Sequence, residues 1–106
     1  MIKITIKRNV AQSCIGFCVE GHAATAPHGQ DIVCAGVSAL TQTAVLGLER
    51  HLNREILLAQ ADGRFGVDLV GLPDQETAAV LETMLLGLKE IAKSNPKSVR
   101  ISEHRR

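Results

Sequence analysis

A chain of 106 residues is long enough for one two-layer domain and too short for two. Its 12 Lys and Arg against 11 Asp and Glu leave a net charge of +1, which provides no field suited to a polyanion. With 2 Phe and no Trp or Tyr, the chain lacks the aromatic platforms of a single-stranded nucleic-acid binder, and its core has to be aliphatic.

The opening MIKITIKRNV lacks the charged segment and apolar run of a signal peptide. The uncharged stretch 32–48 contains Ser38, Thr41, Gln42 and Thr43, and falls short of the roughly 20 apolar residues of a membrane span. Three cysteines, an odd number, read as reduced thiols rather than a disulfide framework. A soluble cytoplasmic domain is expected.

In chain order, residues 2–8 alternate Ile2, Ile4 and Ile6 with Lys3, Thr5 and Lys7, the period of a half-buried strand. Residues 13–20 form a second strand with Ile15, Phe17 and Val19 on one face, and Cys14 and Cys18 are expected as small apolar fillers sharing a face. Gly21 and His22 end this strand, and 23–30 reads as a loop containing Pro27 and Gly29. From Asp31 to about residue 52 the pattern is helical. Asp31 is the expected N-cap, and Val33, Val37, Leu40 and Ala44 form a core-facing stripe on a largely buried helix. Ala35, Gly36, Ala39 and Gly47 allow another element to come close.

Residues 55–61 and 64–70 predict a hairpin joined by Asp62-Gly63 in a primed turn, with Phe65, Val67 and Leu69 inward. Leu72-Pro73-Asp74 then breaks the chain and caps a helix over 75–93, whose apolar face runs through Val80, Leu81, Met84, Leu85, Leu88 and Ile91. Asn95-Pro96 ends it, and Val99 and Ile101 suggest a short last strand. The order ββαββαβ predicts an α+β sandwich, a mainly antiparallel sheet with two helices on one face.

The chemistry concentrates between Gly21 and Ser38. With Asp31 as cap, Cys34 is expected in the first helical turn, where free backbone N–H groups and the positive end of the macrodipole favour a thiolate. His22, at the end of the preceding strand, is placed to act as its base, the minimum for nucleophilic catalysis. The bland reading of Cys34 is a small buried helix residue, and on spacing alone that reading is the more frequent one. Asp31 has two readings, a helix cap only or a group that also orients His22. Ser38 and Thr41 continue the Cys34 stripe, either as a cleft wall or with hydroxyls bonded back to their own helix. Gly21 permits an unusual backbone before His22. His28 reads as a surface histidine, with a competing base as the alternative, and His51 and His104 as structural or exposed. No metal-ligand spacing is present.

These residues also carry a resemblance. Gly21-His22-Ala23, a short loop, then Gly29-Gln30-Asp31-Ile32-Val33-Cys34-Ala35-Gly36-Val37-Ser38 resembles the signature of the ribosomal-processing cysteine protease family (Prp). The similarity extends to length, element order and the Leu81 to Leu85 segment, so residues 1–106 are expected to be one cysteine protease domain. The resemblance implies an endopeptidase that removes the N-terminal extension of a large-subunit ribosomal protein precursor, cutting after an aromatic residue, Phe. It maps the nucleophile onto Cys34 and the base onto His22, with Gly21, Asp31 and Ser38 supporting. It implies a homodimer with a mobile loop beside the site, and needs no cofactor or metal, no nucleic acid and no membrane. Ala24 and Ala26-Pro27-His28 depart from the commonest form, both within the loop. The competing readings are a non-catalytic ribosome-associated adaptor and a thiol redox sensor that uses Cys14 or Cys18 as resolving partner.

Overall fold

The computed structural model describes residues 1–21 and 28–105, with backbone only for 28–31. Its elements follow the expected order: β1 (Ile2–Arg8), β2 (Cys14–Glu20), α1 (His28–Leu46) continuing into a π-helical turn (Gly47–His51), β3 (Ile56–Ala61), β4 (Arg64–Leu69), α2 (Gln75–Ser94) and β5 (Val99–Arg105). The strands form one sheet in the order β3-β4-β2-β1-β5. Every pairing is antiparallel except that of β1 with β5.

Period-two alternation puts Ile2, Ile4 and Ile6 on the helix side, where they meet Phe17 and Val67 from the sheet and Leu81, Met84, Leu85 and Leu88 from α2 in one core. From α1 the core takes Val33, Val37, Ala44 and Val45, with Leu48 from the π turn. The helices approach closely because glycines face bulky partners. A Cβ on Gly36 would lie 3.2 Å from Ile91 Cδ1, and one on Gly87 would lie 2.9 Å from Leu40 Cδ1. Asp74 caps α2 as predicted: its side chain accepts from the Thr77 N–H at 2.8 Å, and Thr77 Oγ1 accepts from the Asp74 N–H at 2.9 Å.

Several expectations need correction. Helix α1 starts at His28, not after Asp31, so Asp31 lies within the first turn and is not the N-cap. Residues 28–30, expected in the loop, are helical, and 23–27 of that loop lie outside the described residues. The helix is buried along one stripe only: Ile32, Ala35, Ser38, Gln42 and Leu46 are exposed. The stretch Ile32–His51 is in fact long and apolar enough, by length and composition, to cross a membrane, yet here its buried stripe packs on the sheet.

Cys14 and Cys18 do not share a face. A register shift between Lys7 and Arg8 intervenes, so Cys14 joins the helix-side core while Cys18 is buried beside Gly66 of β4. The β3–β4 turn is not type I′, which needs positive φ at both residues; only Gly63 has it, at 73°. The last strand is longer than expected because it pairs with β1 along that strand's whole length.

Candidate active site

One end of the sheet brings together the start of β1, the end of β2 and the tip of the β3–β4 hairpin. Helix α1 passes over this end and leaves a cavity of about 260 Å³ between itself and the hairpin. Cys34, half-buried, lines the cavity with Val37, Ser38 and Thr41 from the same helix. Ile2, Val19 and Phe65 supply apolar lining from the sheet, and Gln60, Gly63 and Arg64 come from the hairpin tip.

The spacing of Cys34, Ser38 and Thr41 stacks them on one helix face. Thr41 takes the bland role: its buried hydroxyl donates to the Val37 carbonyl at 2.9 Å. Ser38 is exposed, and its Oγ accepts from Gln42 Nε2 at 3.2 Å. Cys34 lies in the second turn of α1, not the first. Its backbone N–H therefore falls within the intrahelical ladder, and the thiol sits beyond the turn where the macrodipole is strongest. The first-turn argument for a thiolate does not hold here. What singles out Cys34 is the cavity it faces.

Gly21 fulfils its expectation. It closes β2 at φ 84°, where a Cβ would overlap the Met1 carbonyl oxygen, and its N–H donates to the Gly63 carbonyl at 2.8 Å. The position just before His22 is thereby tied to both β1 and the hairpin tip. His22, the side chain of Asp31 and the side chain of His28 lie outside the described residues.

The hairpin lining was missed from sequence, because its residues meet Cys34 only through the sheet order. One signal was available: Phe65 is one of 2 aromatic residues in the chain. Among the described residues, Arg64 is the charged group lining the cavity, held loosely at 3.8 Å from Glu20. A larger cavity of about 600 Å³ lies between α1 and α2 and is lined by residues such as Leu40, Val80 and Met84, with no cysteine. Neither Cys14 nor Cys18 lines the Cys34 cavity, which leaves the redox-sensor reading without its resolving partner there. Among the described residues, no group of three or more His, Cys, Asp or Glu side chains is placed to hold a metal ion.

A half-buried cysteine on a cavity at one end of the sheet, in an α+β domain of this order, is placed as a candidate nucleophile. The family model described as "Cysteine protease Prp" matches residues 1–100, and the chain belongs to that family of cysteine proteases. A relative named "Ribosomal processing cysteine protease Prp" from Bacillus subtilis (strain 168) is 32% identical over 108 residues, covering 96% of each chain. The crystal structure of an essential ribosomal processing protease Prp from S. aureus, in complex with a substrate peptide, superposes with a TM-score of 0.90 at 26% identity, covering 98% of this chain and 100% of that one. The same S. aureus protease with a covalently linked product peptide gives a TM-score of 0.88 at 27% identity, with the same coverage.

Proposed function

We propose that this chain, as one catalytic domain over residues 1–106, removes the N-terminal extension of a large-subunit ribosomal protein precursor in the cytoplasm, cutting after Phe. The reading is supported by one observation above all: Cys34 of the Gly29–Ser38 motif faces the cavity between α1 and the β3–β4 hairpin in a chain of this family.

In the proposed mechanism His22 takes the Cys34 proton, and the thiolate attacks the scissile carbonyl carbon to form a tetrahedral oxyanion. Collapse breaks the C–N bond, His22 gives its proton to the leaving amine, and a thioester remains. Water, deprotonated by His22, attacks the thioester. The second collapse releases the carboxylate product and restores the thiol. The oxyanion donor is not the Cys34 N–H, whose place in the second turn commits it to the helix. In this proposal Asp31 takes the second of its two readings and orients His22. Gly21 sets the backbone entry to His22, and Ser38 forms the cleft wall. The chain acts as a homodimer, as the family resemblance implies, and the chemistry calls on no cofactor.

The test incubates the protein with its own organism's ribosomal-protein precursor, beside Cys34→Ala and His22→Ala variants, with products read by mass spectrometry. A single cut after Phe near the precursor's N-terminus, lost in both variants, is the expected result. An uncut precursor that still binds tightly would favour the adaptor reading and end this one.

A further inference from the structure

Resting on the processing-protease reading above, we infer that Phe65 is a specificity-determining residue, and that the cavity between α1 and the β3–β4 hairpin receives the aromatic side chain preceding the cut. The first argument is placement. Phe65 and Cys34 line the same cavity, so a side chain seated against Phe65 belongs to a residue whose backbone passes the thiol.

The second argument is composition. The chain has only 2 Phe and no Trp or Tyr, and Phe17 is fully buried in the core. Phe65 is half-buried, and so is the one Phe, Trp or Tyr ring the protein can present to a ligand. Its inner side is held by Phe17, with ring centroids 6.3 Å apart and planes inclined at 59°. That tilted contact is a favourable aromatic geometry, and it pre-sets Phe65 so that little ordering remains to be done on binding.

The third argument is size and lining. Apolar cavities of about 150 Å³ accommodate benzene, so about 260 Å³ has room for a benzyl group. Ile2, Val19, Val37 and Phe65 give it apolar surface, while Ser38, Gln42, Gln60 and Arg64 provide polar groups for the peptide backbone. An aliphatic side chain such as Leu would fill the same space without the ring-to-ring contact. Discrimination between Phe and Leu therefore falls to Phe65.

The experiment measures kcat/KM on matched peptides carrying Phe or Leu before the scissile bond, for the wild-type protein, Phe65→Leu and Phe65→Tyr. The wild-type protein is expected to prefer Phe, Phe65→Leu to lower the Phe-over-Leu ratio about 3- to 10-fold, and Phe65→Tyr to retain it. Because the readout is a ratio within one variant, partial loss of folded protein cancels, and cleavage of the Leu peptide by Phe65→Leu serves as its own folding control. Normal cutting by Phe65→Leu with an unchanged ratio overturns the assignment of Phe65 alone. Failure of the wild-type protein to cut either peptide overturns the protease reading and this inference with it.

Discussion

The N–H of Gly21 donates to the carbonyl of Gly63 at 2.8 Å, joining the end of β2 to the tip of the β3–β4 hairpin. Both glycines line the cavity that Cys34 faces, so the chain leading to His22 and the wall carrying Phe65 are braced against each other. Replacing Gly21 by Ala adds a Cβ where φ is 84° and where the Met1 carbonyl oxygen already stands. Gly21→Ala is expected to destabilise the fold by about 1–3 kcal/mol and to lower peptide cleavage at least tenfold at temperatures where the variant remains folded. Urea unfolding and steady-state kinetics on the same sample check both. Full activity with wild-type stability would show that the backbone at this point is not constrained.

Ser38 offers the opposite separation. It is exposed, and among the described residues its side-chain hydrogen bond is the one accepted from Gln42 at 3.2 Å. Ser38→Ala should change stability by no more than about 0.5 kcal/mol, as surface substitutions usually do, while kcat/KM for peptide cleavage falls. If cleavage is unaffected, Ser38 is only helix surface and the cleft wall lies elsewhere.

Arg8 of β1 donates to Glu82 of α2 through both terminal nitrogens, at 2.7 and 3.0 Å, and to Glu103 of β5 through Nε at 2.6 Å. The Arg8 bond holds the Glu82 carboxyl below its ordinary range. A depressed carboxylate contributes stability above its unfolded value, about 4.3, and loses it as pH falls through the folded one. Since Glu82 is partly exposed, solvent screening limits the effect to roughly 0.5–1 kcal/mol. Urea titrations should find Glu82→Gln less stable than the wild-type protein at pH 7, with the gap closing as pH falls below about 4.3. A gap that persists at the lower pH would assign the loss to packing.

At the alkaline end the relevant group is Cys14, whose thiol is pushed up by burial. The unfolded thiol ionises near 8.5 and the folded one resists, so this contribution is complete below about 8.5 and declines as pH rises beyond it. Between pH 8 and 10 the wild-type protein should lose stability more steeply than Cys14→Ala, by at most about 1.4 kcal/mol per pH unit. Parallel curves would mean that Cys14 ionises freely in the folded state.

Much of this molecule was legible in one dimension. Alternation of Ile2, Ile4 and Ile6 and the helical stripe through Leu81, Leu85 and Leu88 are local periodicities, and the residues they nominated are buried. Asp74 was legible as a cap because capping depends on neighbours three residues away. The start of α1 was misread for a related reason. Asp31 looks like a cap, but His28, Gly29 and Gln30 before it are helical as well, and a good capping residue inside a first turn reads the same as one in front of it.

What the sequence determined by itself was the element order, the aliphatic core and the family, the last through the run Gly29–Ser38 with Gly21-His22-Ala23 before it. These are properties of short segments, set by backbone geometry and side-chain period. Only the tertiary structure decided which walls face Cys34. The order β3-β4-β2-β1-β5 places the tip of a hairpin some 30 residues later in the chain beside α1, and with it Gln60, Arg64 and Phe65. Strand order arises from long-range pairing, which depends on how whole faces bury together and leaves no local mark on any one strand.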